Sequence, residues 1–486
     1  MGADSDDPQP VQAPDLTDGP CAPAPDRAWG WAVQLYALRS RTSWGIGDLA
    51  DLSRFGRWAR QSGAALALLN PLGAQTPSLP YQSSPYFPST RRFRNAIYLR
   101  VEDVDGAGDV DLAEERAAAL ELNTMRLIDY DRVHELKTAA LRKVFDSAPR
   151  PRGLASYVAR EGAALREFAT FAAERDAHQG PPEFHAWLQF HLDRQLQRAS
   201  REIGLITDVP VGFNPDGFDA WRFRDYFAPH MRIGAPPDEF FRDGQDWGLP
   251  PIDPWKLDDA RWAPFLDAIR GAARHAAGIR LDHVMGLFRL FWIPEGMSPA
   301  EGAYVHYPAP ALLALLAHES RRAGAFVVGE DLGLVEPVVR QQLQARSSLS
   351  YRLVWFEPAP PSEWPYDAVG AIGTHDLPTV AGIWTRSDPE PRLHPLRDKL
   401  VQLTHMPDDA HPVDVAVAVY DHLAHGRPRV VLASLEDALG VAERPNVPGT
   451  VDEFPNWRQA LPVPLEDIEN ADGPRWIAEA MRRGGR

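Results

Sequence analysis

Gly278-Ile279-Arg280-Leu281-Asp282-His283 is an apolar, strand-like run that closes on an acid. Val327-Val328-Gly329-Glu330-Asp331-Leu332-Gly333 and Ala371-Ile372-Gly373-Thr374-His375-Asp376 have the same form. A carboxylate just past a buried strand emerges at the strand's C-terminal end, where α/β barrels gather catalytic groups. Three such ends, each presenting an acid, describe a pocket built around developing positive charge. Glycosyl transfer needs such a pocket: one carboxylate to attack, one to carry the proton, one to brace the sugar.

Outward from these segments, apolar, β-rich runs predict eight parallel strands: Ala32–Leu38, Ala65–Pro71, Gly204–Val211, Gly278–Asp282, Phe326–Glu330, Tyr351–Phe356, Ala368–Gly373 and Val430–Leu435. Helical stretches separate several of them, among them Asp48–Ser62, Phe184–Ser200, Ala260–Ala276 and Ala309–Ala323. Strand and helix in alternation give an α/β fold with helices outside a parallel sheet, and eight strands close it into a TIM-type (β/α)8 barrel. The expected organisation is a disordered lead-in at 1–26, the first part of the barrel at 27–99 and the remainder at 201–486. The span between the second and third runs is far longer than one crossover requires. Its helical patterns (Ala113–Leu122, His134–Val144, Gly153–Ala173) predict an inserted, mostly helical subdomain over 100–200. Residues 213–254, rich in Pro, Gly, Asp and aromatics, predict a loop or lid. Turn chemistry fills Arg444–Arg458, and a short C-terminal helix follows.

Composition narrows the function. The 486 residues are 44% hydrophobic and 24% charged, as in a globular protein. A net charge of −16, from 51 basic and 67 acidic residues, argues against nucleic acid or an anionic membrane surface as partner. The single cysteine, Cys21, allows no intrachain disulfide and no thiolate metal site, which fits a reducing cytoplasm. Met1–Asp26 has no apolar core of the kind a secretory signal carries, and every apolar run is far shorter than a bilayer span. A soluble, cytoplasmic protein is expected. The sequence is silent on oligomeric state.

Arg280 and Asp282, two apart on a strand, share one face. The guanidinium would keep the carboxylate ionised and oriented, as a nucleophile must be, although an ion pair that only braces the barrel interior leaves the same pattern. Glu330 is the first acid beyond its strand, and a desolvated carboxyl beside a like charge stays protonated as a general acid. One of Glu330 and Asp331 is expected to cap the following helix, with Asp331 the choice. The His375-Asp376 pair can grip vicinal sugar hydroxyls with one donor and one acceptor; a loop-stabilising Asx turn is the plainer reading of that pair alone. Several aromatics sit in Pro/Gly-rich stretches as candidate platforms for sugar rings: Trp44, Tyr81, Tyr86, Phe87, Trp247 and Trp457. Trp247 stands out because flanking glycines suggest a mobile loop. No metal motif and no glycine-rich nucleotide motif follows a predicted strand, so neither metal nor cofactor is expected.

At these residues the chain resembles glycoside hydrolase family 77, the 4-α-glucanotransferases, from about Gln34 to Trp457. The blocks that carry the resemblance are QLYALRSRTSWGIGDLADL (34–52), SSPYFPSTRRFRNAIYL (83–99), GAPPDEFFRDGQDWGLPPIDP (234–254), GIRLDHVMGLFRLFWIPEG (278–296), VVGEDLG (327–333), GTHDLPT (373–379) and NVPGTVDEFPNWR (446–458). The resemblance implies a distorted (β/α) barrel with inserted subdomains and a retaining mechanism. Asp282 is implied as nucleophile, Glu330 as acid/base and Asp376 as transition-state stabiliser. Arg280, His375, Asp208, Ser84 and Tyr86 match positions lining the donor sugar, and Asp238, Gln245 and Trp247 fall in a loop arching over the glucan. Implied partners are maltooligosaccharides, α-1,4-glucans derived from starch or glycogen, and glucose as acceptor. Phe241 stands where many relatives carry a small residue, Pro250-Pro251 where others have Asn-Pro, and no counterpart of the extended N-terminal domain of the longer bacterial subgroup is expected. Competing expectations are an α-amylase-like hydrolase using the same acids, a non-catalytic glucan-binding protein, and a metal-dependent barrel enzyme.

Overall fold

Eight strands, each among the most buried stretches of the chain, form one closed parallel barrel: β1 (Ala28–Val33), β2 (Leu66–Leu69), β3 (Gly204–Val209), β4 (Gly278–Leu281), β5 (Phe326–Gly329), β6 (Leu349–Leu353), β7 (Ala368–Ala371) and β8 (Val430–Ser434). Every strand pairs in parallel with its neighbour in the chain, and β1 closes the ring against β8. The computed structural model describes residues 19–176, 180–237, 242–333, 335–451 and 453–486.

The period-2 alternation of a strand divides the core. Leu66, Leu68, Ile206, Phe326, Val328, Leu349, Tyr351, Val369 and Leu432 fill the barrel's interior. Their neighbours, such as Trp29, Trp31, Ile279 and Val327, face the helical layer. The run predicted at Ala32–Leu38 contributes only its start. β1 begins at Ala28 and stops at Val33 because the Leu35 N–H goes to Asn70 Oδ1 (2.7 Å), turning the chain into a short 3-10 helix at Leu35–Ala37.

The crossover from β2 to β3 carries helices Ala113–Leu122, Tyr130–Ser147, Leu154–Arg175 and Pro182–Glu202, the last packing on barrel helix Leu49–Gln61. Two expectations need correcting. Residues 213–254 are not merely a loop. Met231–Ala235 and Gln245–Leu249 form an antiparallel pair, which Arg289–Pro294 and Ala303–His306 extend to a four-stranded sheet over the barrel mouth. Its core of Ile233, Leu249, Leu290 and Trp292 comes from segments far apart in sequence, so no local pattern announces it. The predicted lead-in is also partly structured. Cys21 is 4% exposed, its N–H donates to the Arg346 carbonyl (2.7 Å), and the Ala22 N–H donates to Ser320 Oγ (2.8 Å). Residues 1–18 lie outside the described residues. Among the described residues no helix is long and apolar enough to cross a membrane.

Candidate active site

The three acid-tipped segments end side by side at one rim of the barrel. Register sets this arrangement. Arg280 on β4 stands opposite Asp208 on β3 and Val328 on β5, and Leu281 stands opposite Val209 and Gly329. One residue further, the Asp282 N–H donates to the Val209 carbonyl (3.0 Å) and the Glu330 N–H to the Leu281 carbonyl (3.0 Å), so both acids leave the ladder at the same level. Alternation turns Arg280 and Asp282, like Val328 and Glu330, toward the barrel axis.

Arg280 organises the site. Its side chain is 3% exposed, and Nη1 donates to both oxygens of Asp208 (2.7 and 2.6 Å) and to Asp282 Oδ1 (3.2 Å). Nη2 lies 4.0 Å from Glu330 Oε2. With three carboxylates around it, the guanidinium is held protonated well above its ordinary range despite the cost of burial. Breaking such a buried cluster by removing one partner costs about 3–5 kcal/mol.

The two central acids differ in protonation. Burial pushes Glu330 up to about 8; the Arg280 charge and an N–H donated by His283 oppose the shift, and the Asp282 charge adds to it. Burial raises Asp282 too, but only to about 6, because Arg280 acts on it directly. Near neutrality one carboxyl is therefore protonated and its neighbour ionised, the division of roles that a proton donor and a nucleophile require. The N–H that steadies Glu330 comes from His283 (2.7 Å), whose left-handed backbone (φ 46°) aims it inward. Burial and Arg289 lower the His283 pKa to about 4, so this ring is neutral and competes for neither acid.

A second group faces these acids from β2 and β7. The Tyr86 hydroxyl donates to Asp208 Oδ2 (2.6 Å) and lies 3.2 Å from His375 Nδ1. Having given its only proton to Asp208, it accepts from a protonated Nδ1. His375 Nε2 meets Asp376 Oδ2 at 3.3 Å. Burial opposes a charge on His375, but Asp376 overrides it and raises the pKa, so an imidazolium fits both contacts. Asp376 is conversely lowered against the pull of burial, by His375 and by Asn446. Asn446 Nδ2 donates to Asp376 Oδ1 (2.6 Å), and buried Arg444 donates to the Asp376 carbonyl (2.9 Å). Tyr86 stacks on His375 at 4.6 Å and tilts against Trp457 at 5.1 Å, forming an aromatic wall.

Most sequence-predicted residues converge here, with exceptions. Ser84 supports the site from behind, its hydroxyl accepting the Tyr86 N–H (3.3 Å). Gln245 accepts the Trp247 indole N–H (3.2 Å), and Trp247 meets His283 edge-on at 5.3 Å, so this tryptophan belongs to an edge strand of the lid sheet. Asp238 and Phe241 lie outside the described residues. Asp331 caps no helix. It is fully buried, accepts the Tyr351 N–H (2.8 Å) and pairs with Arg340 (3.1 Å) and Arg352 (3.3 Å), locking β5 to β6. Trp44, Tyr81 and Trp457 are buried, so none is a free platform; Trp44 donates to Glu102 (2.9 Å). Among the described residues no group of three or more His, Cys, Asp or Glu is arranged to hold a metal ion. Sequence reasoning missed Asn446, Arg444 and the His283 N–H. Asn446 and Arg444 lie some seventy residues beyond Asp376 (|i−j| 70 and 68) in a turn-rich segment, with no periodicity to mark them.

The family model described as 4-alpha-glucanotransferase, glycoside hydrolase family 77, matches residues 33–182 and 174–464. The chain belongs to this family. It is 37% identical to the 4-alpha-glucanotransferase of Mycobacterium tuberculosis over 97% of its own length and 77% of that protein. With the Haemophilus influenzae 4-alpha-glucanotransferase it shares 30% identity over 91% of the chain and 76% of the relative. Among solved structures, the amylomaltase from Corynebacterium glutamicum superposes with a TM-score of 0.88 at 31% identity, covering 94% of this chain and 75% of that one. The Streptococcus agalactiae amylomaltase, solved in complex with acarbose, shares the fold at 16% identity (TM-score 0.79, 95% and 99% covered). The chain is thus an enzyme of the 4-α-glucanotransferase type.

Proposed function

We propose that the enzyme moves α-1,4-linked glucosyl and maltooligosyl units from a donor glucan to an acceptor glucan or glucose by a retaining double displacement, with Asp282, Glu330 and Asp376 as its three acids. The supporting observation is the shared guanidinium. Arg280 touches Asp282 and lies beside Glu330, and the two acids sit on opposite sides of neutrality. The Asp282 carboxylate attacks the anomeric carbon while Glu330 gives its proton to the departing 4-oxygen. The glycosidic bond breaks, and an ester to Asp282 replaces it. Glu330, now ionised, takes the proton of an acceptor 4-hydroxyl. That oxygen attacks from the face the leaving group vacated, and Asp282 departs as carboxylate. Retention calls for the two carboxyls to stand about 5–5.5 Å apart around the sugar.

In this reading Asp376 and His375 hold the vicinal hydroxyls of the donor ring, one accepting and one donating. Asp208 and Arg280 face the same ring, and Tyr86, supported by Ser84, supplies the apolar wall. Trp247 and Gln245, with Asp238 assigned from the family motif, cover the acceptor side. Their role is to raise the acceptor's effective concentration over water. Residues 27–99 and 201–486 form the catalytic barrel and 100–200 the inserted subdomain. A cytoplasmic place in glycogen or maltodextrin metabolism suits a chain whose one thiol is buried.

Incubation with maltotriose is the test. A ladder of longer oligosaccharides together with glucose is expected; shorter sugars alone would mean hydrolysis, and binding without turnover a non-catalytic glucan receptor.

A further inference from the structure

A cavity of about 350 Å³ lies outside the barrel, between the inserted helices Leu154–Arg175 and Pro182–Glu202 and the outer helices Ala263–Ala273 and Ala309–Ala323. Arg270 and Arg274, and Arg322, stand at the ends of the helices that lead into β4 and β5, so the cavity faces the barrel's N-terminal end, opposite the rim with the acids. Five arginines line it, Arg92, Arg94, Arg270, Arg274 and Arg322, against two carboxylates, Glu161 and Asp193.

Most of these charges are matched. Arg92 pairs with Asp267, and Arg274 with Asp193 and Glu161. Glu319, with its side chain 1% exposed, serves Arg270 (2.7 Å) and Arg322 (2.6 Å) at once. With Asp267 and Glu319 added to the two lining acids, four carboxylates serve the five guanidiniums, and Glu161, Asp193 and Asp267 are further shared with Arg160, His275 and Arg222, in a chain whose net charge is −16. The unmatched one is Arg94. Among the described residues it pairs with no carboxylate, and its side chain donates only to the Gly271 carbonyl. Burial, with Arg274 nearby, drags its pKa down to about 10 against the opposing charge of Asp193, which stands too far off to pair with it. Gly271 makes this contact possible: a Cβ there would stand 2.7 Å from the Arg91 carbonyl oxygen and the Arg92 Cα, so the short strand Thr90–Arg94, which pairs with Gly73–Ala74, lies directly on the helix.

We infer that this cavity binds a phosphate monoester, with Arg94 as its principal anchor and Arg274 and Arg322 completing the cradle. Arginine forks match phosphate oxygens two at a time, and a half-buried guanidinium that pairs with no carboxylate is the group such a dianion relieves. The volume falls within the roughly 300–1,000 Å³ of small-molecule sites, room for a sugar phosphate as well as for phosphate alone. The inference stands apart from the glucan-transfer reading, since none of these residues belongs to the acid rim.

Calorimetric titration of the full chain with inorganic phosphate and with glucose 6-phosphate, at matched ionic strength, tests it. Saturable binding is expected, weakened at least tenfold by Arg94→Gln. Arg322→Gln, on the cavity's exposed edge, should weaken it comparably while maltotriose turnover stays at the wild-type rate. Glucose 6-phosphate binding tenfold tighter than phosphate would name the sugar phosphate as ligand; equal affinities would name free phosphate. No saturable binding of either, or binding that both variants leave unchanged, would overturn the inference and reduce the arginines to structural ion pairs.

Discussion

Replacing Arg280 by lysine tests whether one guanidinium sets the protonation of both central acids. The wild-type side chain makes three contacts within 3.2 Å, two to Asp208 and one to Asp282, and its second nitrogen lies 4.0 Å from Glu330. A lysine ammonium is a single point on a shorter stem. It can keep the Asp208 pair, so the barrel stays folded, but it cannot span Asp282 and Glu330 as well. The loss is one charge-assisted hydrogen bond to the nucleophile, about 1.5–3 kcal/mol. If that bond matters chiefly in the transition state, kcat for maltotriose falls about 10- to 150-fold with little change in KM. Sign follows from cause. Arg280 holds both acids down at close range, and the lysine ammonium, drawn to Asp208, acts on each from farther away, so both pKa values rise. Activity requires Asp282 ionised and Glu330 protonated, giving a wild-type bell with limbs near 6 and 8. In the variant both limbs move to higher pH. Initial rates of glucose release from about pH 5 to 9 measure this. A variant with wild-type kcat and unmoved limbs would refute the reasoning.

Glu330→Gln should lose transfer from maltotriose by several orders of magnitude yet keep forming the glycosyl-enzyme from α-maltosyl fluoride, whose leaving group needs no proton; trapping by mass spectrometry reads the adduct, and equal loss on both donors would reassign Glu330. Asn446→Ala removes the 2.6 Å donor from Asp376, so kcat should fall about tenfold or more at the scale of a hydrogen bond to a charged group, with the urea midpoint within error of wild type; unchanged kcat would show that Asp376 needs no such support. Cys21 is 4% exposed, and burial raises its thiol to about 11, so it should react with a disulfide reagent only upon unfolding; stoichiometric labelling of the native chain within seconds would mean that residues 19–26 do not pack as described.

Legibility followed the range of the interactions. Leu66–Leu69 and Phe326–Gly329 are buried on both faces and read as continuous apolar runs, so they were visible as parallel strands. The lid sheet was not, because Gln245–Leu249 has neither alternation nor an apolar run and becomes a strand only against Met231–Ala235. Asp331 misled for a related reason. Its partners Arg340, Arg352 and the Tyr351 N–H come from the next strand and helix, whereas a helix cap is a local signal.

By itself the sequence determined the barrel, the strand ends that present acids, and the chemistry those acids suit, because burial and period-2 alternation are written residue by residue. The sequence supplied a reason to expect the proton on Glu330, and only the tertiary structure supplied the surroundings that separate the two acids. That assignment rests on the cost of burying each carboxyl, on how near each lies to Arg280, and on the N–H that His283 donates to Glu330 from another segment. Desolvation and Coulomb energy depend on distance in space, and the linear order of residues does not encode it.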